Sequence, residues 1–210
     1  HAAEGYIARL LRAGYKVAIC DQLEDAATLK GRKLVRREVV RVITPGTATD
    51  VHVLEPNENN FLAALARSPA ATPIGLAYLD VSTGEFRATE LSGPEAEARL
   101  RDELHVLRPR EILLPRPATL FAPAPAADLD GLAPVETHLE DWVFQQDYAE
   151  RLLTEQFGVL GLEGFGLAGH PQAIAAAGAL VHYLRETSAR GTGGLEHLER
   201  VRFYEEQDAL

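Results

Sequence analysis

The segment that most constrains the fold is residues 74–81, in which apolar side chains occupy both alternating faces of a strand. A strand of this kind is buried from both sides of its sheet. Ser82-Thr83-Gly84 then turns the chain, and residues 85–91 return as a half-exposed strand. The pattern predicts a β-hairpin inside a unit in which other layers cover the sheet.

Strand and helix patterns alternate around this hairpin, which is typical of an α/β fold. Upstream, residues 2–13 predict an amphipathic helix, and Pro45-Gly46 predicts a type II turn that ends a first unit. A loose loop is expected at 115–134, which carries five prolines. The remaining predicted strands are 16–23, 34–43, 61–66, 111–114 and 135–139, and the remaining predicted helices run from Pro94, at about 145–156 and from Pro171.

Several single residues have simple structural interpretations. Cys20 is the one cysteine, which excludes an internal disulfide, and its apolar neighbours predict a buried thiol. Trp142 and Phe144 are predicted to be core aromatics, and His182 a packed histidine within an apolar helix. The seven histidines lack metal-ligand spacing, and no apolar run is long enough to span a bilayer. The chain begins at His1 and contains no methionine, so we expect it to be a piece of a longer protein.

Charge is distributed very unevenly along the chain. The net charge is -10, yet residues 1–45 hold nine basic and five acidic side chains, a balance of +4. The other 165 residues hold 12 basic and 26 acidic side chains, a balance of -14. Halves of opposite sign indicate two units with different partners. Six of the nine N-terminal cations lie within twelve residues: Lys30, Arg32, Lys33, Arg36, Arg37 and Arg41.

The run GYKVAICDQLEDAATLKGRKLVRREVVRVITPGT at 14–47 resembles the mismatch-recognition domain of the MutS family of DNA mismatch repair proteins. The resemblance continues, in the same order, through five further segments. They are NNFLAAL (59–65), GLAYLDVSTGEF (75–86), EILLP (111–115), FGVLGLEGFGL (157–167) and AAGALVHYLRET (176–187).

The resemblance implies a division into domains. Residues 1–47 would be the end of the mismatch-recognition domain, 48–58 a linker, and 59–160 a connector domain of ribonuclease H-like fold. Residues 161–210 would be a linker and the start of an all-helical core domain. The family's intact proteins would bind mispaired DNA as dimers, use ATP and Mg²⁺, pass a signal to a MutL partner, and lie in the cytoplasm near the nucleoid. This chain lacks the phosphate-binding motif GxxxxGK[ST], so we expect no enzymatic activity and no cofactor here.

The resemblance also suggests where partners would bind. A basic segment beside a strand can follow a phosphate backbone without reading bases. The candidates for DNA-backbone contact are Lys30, Lys33, Arg36 and Arg37. The candidates for MutL contact are the exposed helix positions Glu150, Arg151 and Thr154. The family's Phe-Xaa-Glu mismatch wedge is absent, and Phe203-Tyr204-Glu205 matches that pattern by accident.

Asp80 leaves a second functional class open. A carboxylate at a strand end before a Ser-Thr-Gly turn is similar to the first strand of ribonuclease H-like nucleases. Two-metal nucleases need several converging carboxylates, and the available acids are Glu103, Asp128, Asp130 and Asp141. The alternative interpretation is structural: the Asp80 carboxylate would accept hydrogen bonds from turn amides at 82–84.

Overall fold

A computed structural model describes two units of the chain. The N-terminal unit comprises residues 3–22 and 37–49, and the second unit comprises residues 59–68, 72–116, 133–188, 195, 198 and 200–205. Within these residues no helix combines the length and apolarity that crossing a membrane requires.

The N-terminal unit is a helix packed on a two-stranded antiparallel sheet. Helix α1 (Glu4–Arg12) precedes β1 (Val17–Gln22), which pairs with β2 (Arg37–Ile43). Its small apolar core contains Leu11, Ile43 and Ala48, with partly buried residues from α1 and β1 packed against them. The predicted helix and both predicted strands are confirmed where the structure describes them.

Cys20 differs from its prediction, because the structure places it on the exposed surface. Neighbouring side chains of a strand point to opposite faces, and Ile19 takes the face that packs against α1. Cys20 therefore faces away and pairs with Val39, which is itself half exposed. The prediction rested on the apolar neighbours of Cys20 in sequence. Described residues cover only one face of this sheet, and Cys20 lies on the other face.

The second unit is built around a six-stranded mixed sheet in the order β7-β6-β3-β4-β5-β8. The predicted hairpin is confirmed, since β4 pairs antiparallel with β5 and every residue of β4 is buried. Strand β4 also pairs antiparallel with β3, whereas the β3–β6, β6–β7 and β5–β8 pairs are parallel. The strands are β3 (Phe61–Arg67), β4 (Ile74–Asp80), β5 (Phe86–Leu91), β6 (Glu111–Pro115), β7 (Val135–Leu139) and β8 (Arg202–Phe203).

Helices cover both faces of this sheet, as the apolar pattern of β4 requires. Helix α2 (Ala96–Leu107) buries Leu100 and Leu104 on one face, together with Leu76 of β4. Helices α3 (Gln146–Phe157) and α4 (Pro171–Thr187) lie on the other face, where Leu79 of β4 joins their core. The α/β architecture predicted from the sequence is thus present.

Helix α4 follows the expected boundary near residue 160 and packs in the core of the second unit. The sequence predicted that residues 161–210 leave the connector and begin a separate helical domain. In the structure, thirteen of the seventeen residues of α4 are buried, in one core with β3, β4 and α3, and the domain bounds stay a prediction. A helix that is apolar on almost every face belongs inside a domain. Strand β8, farther along, also joins the same sheet through β5.

Candidate functional site

The two units meet around one fully buried carboxylate, that of Glu111 at the first position of β6. Oε1 accepts hydrogen bonds from the Thr137 hydroxyl at 2.6 Å and the Tyr183 hydroxyl at 2.8 Å. The Lys16 Nζ lies 3.5 Å from the same oxygen. Oε2 accepts a hydrogen bond from the backbone N–H of Gly46 at 3.0 Å. We call these five residues the Glu111 cluster.

Four different elements or turns position the partners of Glu111. Thr137 lies on the neighbouring strand β7, and Tyr183 lies on α4, so both belong to the second unit. Lys16 directly precedes β1, and Gly46 follows β2, so both belong to the N-terminal unit. The Lys16 ammonium also donates to Thr137 Oγ1 at 2.8 Å and lies 5.3 Å from the centre of the Tyr183 ring. The cluster is therefore a polar contact between units that contains a compensated buried charge.

The Tyr183 hydroxyl remains a hydrogen-bond donor in this site. Burial raises the pKa of Tyr183 far above its usual range, and the neighbouring Glu111 carboxylate raises that pKa further. A protonated phenol can donate to the carboxylate, so the Tyr183 hydroxyl serves as a donor in the cluster.

The turn that carries Gly46 has a different geometry from the predicted one. The Thr47 N–H donates to the Thr44 carbonyl at 3.2 Å, but the φ of Gly46 lies outside the left-handed region that a type II turn requires there. Glycine is needed for space instead. A Cβ at Gly46 would lie 2.8 Å from Leu62 Cδ1 and 2.9 Å from Glu111 Cβ. The bare backbone therefore sits directly on β3 and β6.

A second polar contact between the units runs through Asn60. Its side-chain amide donates to the Ala48 carbonyl of the N-terminal unit at 3.0 Å. Its backbone N–H donates to Asp80 Oδ2 at 3.1 Å. Asp80 Oδ1 accepts the backbone N–H of Ser82 at 2.8 Å and that of Thr83 at 3.4 Å. The predicted structural role of Asp80 in the turn is confirmed, and Asp80 additionally holds the entry to β3.

The acids considered for a nuclease do not gather around Asp80. Glu103 on α2 accepts a hydrogen bond from the Tyr204 hydroxyl at 3.3 Å, and Asp141 is exposed. Asp128 and Asp130 lie outside the described residues. Across the described part of the chain, no group of three or more His, Cys, Asp or Glu side chains could hold a metal ion. The nuclease alternative therefore has no support.

The structure describes four of the seven predicted partner-binding residues. Arg37 is exposed on β2, whereas Lys30, Lys33 and Arg36 fall outside the described residues. Glu150, Arg151 and Thr154 share helix α3, and the Arg151 side chain is the exposed one of the three. Thr154 Oγ1 donates back to the Glu150 carbonyl at 2.9 Å. Their roles in binding remain predictions.

An aromatic group lies between α3 and α4. The Tyr148 hydroxyl lies 2.7 Å from His182 Nδ1, and Trp142 packs edge-on against both rings. Burial lowers the pKa of His182, although the nearby Glu186 carboxylate acts in the opposite direction. The prediction of a packed His182 is confirmed, while Trp142 differs from its prediction because it is 47% exposed.

Comparison with known proteins identifies the family. The family model described as MutS domain I matches residues 1–52, and that described as MutS domain II matches residues 60–199. The chain belongs to the MutS family. The second match includes α4, in agreement with the packing of that helix on the sheet.

The similar proteins are named DNA mismatch repair protein MutS. The protein from Solibacter usitatus is 48% identical over 210 residues, which cover 100% of this chain and 23% of that relative. The protein from Symbiobacterium thermophilum is 44% identical over 198 residues, which cover 94% of this chain and 22% of the relative. A third, from Pelotomaculum thermopropionicum, is 43% identical over 206 residues, which cover 97% and 23%. The chain thus spans less than a quarter of the length of these MutS relatives.

Sequence reasoning missed the Glu111 cluster. Residues 111–114 were recognised as a short buried strand, and the signal available was an acidic residue opening an otherwise apolar run. Such a residue usually marks an exposed strand end. Its partners lie 26, 65, 72 and 95 positions away along the chain, so no local pattern joins them.

Proposed function

We propose that this chain couples the DNA-probing part of a MutS-type mismatch repair protein to the rest of that protein. The intact protein would bind mispaired DNA as a homodimer and use ATP and Mg²⁺ to signal repair. The ATPase would lie in another part, because this sequence lacks the motif GxxxxGK[ST]. We propose no catalysis and no cofactor for this chain, and a cytoplasmic location near the nucleoid.

The observation that carries the coupling role is the Glu111 cluster. A coupling element must transmit the orientation of one unit to the other, and a buried hydrogen-bonded charge constrains orientation more strictly than apolar packing does. Here the Lys16 ammonium and the Gly46 N–H converge on one carboxylate of the second unit. The Asn60 contact to Ala48 adds a second fixed point. Two separated contacts oppose rotation of the N-terminal unit on the sheet.

We further propose that the second unit has the ribonuclease H-like connector fold. The order β5-β4-β3-β6-β7, with β4 antiparallel to both neighbours and β6 and β7 parallel to β3, supports this assignment. Asp80 lies at the end of β4, which is the second strand of this unit along the chain. Its carboxylate accepts hydrogen bonds from turn amides. The unit would therefore act as an inert scaffold.

The N-terminal unit is proposed to contact the phosphate backbone through Lys30, Lys33, Arg36 and Arg37. Because the mismatch wedge is absent, we predict weak binding, with a Kd of about 10⁻⁴ to 10⁻⁶ M, and no preference for a mismatched duplex. Arg37→Glu should weaken DNA binding. It should also reduce the magnitude of the slope of log K against log salt concentration by about one. Fluorescence anisotropy with paired and mismatched duplexes at several salt concentrations measures both quantities.

Arg151→Glu is the matched control for this titration, since it makes the same charge change on α3 of the second unit. Binding by the control should equal that of the unaltered chain. Tight and mismatch-selective binding would contradict the proposal, as would equal weakening by the two variants.

The second unit is proposed to offer α3 to a MutL-like partner through Glu150, Arg151 and Thr154. Arg151 is exposed, and its Nε donates to the Asp147 carbonyl at 3.3 Å within its own helix. We predict that Arg151→Glu lowers capture by immobilised MutL about fivefold, the effect of about 1 kcal/mol at the edge of an interface. A pull-down with a concentration series measures the change. Arg37→Glu is the control, and undiminished capture of the Arg151 variant would count against this surface.

A further inference from the structure

The donors to Glu111 divide evenly between the two units. Thr137 and Tyr183, from the second unit, both donate to Oε1, so that oxygen keeps partners whatever the N-terminal unit does. Among the described residues, the donor to Oε2 is the Gly46 N–H, from the N-terminal unit. Lys16, whose side chain is 38% exposed, is the other contribution of that unit. The hydrogen bonds to Oε1 therefore come from the second unit itself, whereas the hydrogen bond to Oε2 depends on docking of the N-terminal unit.

Among the described residues, no apolar cluster combines side chains of the two units. The core of the N-terminal unit consists of residues of that unit alone. The two apolar clusters of the second unit contain no residue numbered below 61. Besides the polar contacts, the described residues approach across the boundary where glycine backbone meets a side chain of the second unit, Gly46 at Leu62 and Gly14 at Val135, and where α4 meets β2. A polar contact without a shared core can open without unfolding either side.

We propose that Glu111 is the positioning residue that fixes the N-terminal unit on the sheet, and that this contact opens while the second unit stays folded. The inference rests on the proposed coupling function and names the residue responsible for it. When the contact opens, Oε1 keeps Thr137 and Tyr183, whereas Oε2 and the Lys16 ammonium return to water. Only the docked arrangement satisfies all four donors, so the carboxylate selects one orientation of the N-terminal unit.

Amide hydrogen exchange in the 210-residue chain tests this directly, because the Gly46 amide is itself the docking donor. Glu111→Gln removes the charge and places an N–H₂ group on one side, which cannot accept a hydrogen bond. If that group faces Gly46, the docking donor loses its acceptor. We expect exchange at Gly46 to accelerate by about tenfold or more, since hydrogen bonds to charged groups are the strong ones. Exchange in strand β4 should stay within about threefold of the unaltered chain.

Glu136→Gln is the matched control, as an exposed glutamate on the adjacent strand β7. It should alter neither readout. Equal acceleration at Gly46 and throughout β4 in Glu111→Gln would overturn the proposal, because Glu111 would then be a general core residue. Unchanged exchange at position 46 in both Glu111→Gln and Lys16→Met would overturn it as well, since the amide oxygen in the first variant can still face the Gly46 N–H.

Two variants in the N-terminal unit keep the test valid if Glu111→Gln fails to fold. Lys16→Met removes the ammonium and keeps the aliphatic stem. Gly46→Ala adds a Cβ that Leu62 and Glu111 would meet below 3.0 Å, whereas Gly5→Ala adds one where nothing lies within 4 Å. Lys16→Met and Gly46→Ala should each accelerate exchange at position 46 and leave β4 unchanged, and Gly5→Ala should not. Unchanged exchange in both would refute the proposal, and failure of the DNA or MutL experiments would leave this readout intact.

Discussion

Gly75→Ala is expected to lower the free energy of unfolding of the second unit by about 3 kcal/mol. A Cβ on Gly75 would lie 2.0 Å from the Gln172 carbonyl oxygen, 2.2 Å from its carbonyl carbon and 2.7 Å from the Ala173 nitrogen. All three are backbone atoms, so no side-chain rotation relieves the overlap. Helix α4 would have to move away from β4.

This movement would also disturb the start of α4. The Glu90 carboxylate accepts the backbone N–H groups of Gln172, at 2.7 Å, and of Ala173, at 3.3 Å. An acidic group at this end satisfies two of the free amides and interacts favourably with the helix dipole. Displacing α4 lengthens these bonds, so the alanine variant loses packing and capping together.

Urea unfolding monitored through the single tryptophan, Trp142, measures the effect, because Trp142 packs against α4 at His182. Gly164→Ala is the control in the same unit, since a Cβ there would meet nothing within 4 Å. The control should change the free energy of unfolding by no more than about 0.5 kcal/mol. Equal stability of the two variants would mean that α4 does not approach β4 this closely.

Asp80→Ala is expected to lower the free energy of unfolding by about 2 to 4 kcal/mol, because it leaves one buried and one part-buried backbone donor without an acceptor. The donors are the Asn60 N–H, on one carboxylate oxygen, and the Ser82 N–H, on the other. Asp80→Asn should have a smaller effect, since the remaining amide oxygen can still accept the turn amides. The urea titration that measures Gly75→Ala applies here also.

Asp102→Ala is the control for this pair, because Asp102 is an exposed acid on α2 and its removal should cost less than about 0.5 kcal/mol. Unchanged stability of Asp80→Ala would contradict the assigned structural role. Incubation of the same proteins with nicked and branched DNA and Mg²⁺ should give no cleavage in any variant. Cleavage that disappears in Asp80→Asn would restore the nuclease alternative.

Most of the secondary structure could be predicted from local patterns. The β4–β5 hairpin followed from a strand that is apolar on both faces and a Ser-Thr-Gly turn, and helix α3 followed from apolar spacing. The role of Asp80 was among the interpretations available, because a carboxylate bonds amides only two or three residues away. These features depend on neighbours in sequence, so the sequence contains enough information to place them.

The differences between prediction and structure share one physical cause. Whether a residue is buried depends on which other elements cover the face on which it lies. Cys20 has apolar neighbours, yet the face on which it lies is uncovered by described residues. The apolar composition of helix α4 suits any apolar environment, and the close approach of Gly75 of β4 to Gln172 of α4 places the helix on this sheet. Gly46 was recognised as a turn residue, but its required lack of a side chain comes from Leu62 and Glu111.

The amino-acid sequence by itself determined the family, the alternation of strands and helices and the opposite charges of the two halves, since periodicity, turn chemistry and charge are local properties of the chain. Tertiary structure alone decided that α4 packs on the sheet of the second unit, which face of β1 is exposed and how the two units are joined. The Glu111 carboxylate shows why: its charge is tolerated at zero exposure only because a lysine, a glycine amide, a threonine and a tyrosine from distant segments converge on it.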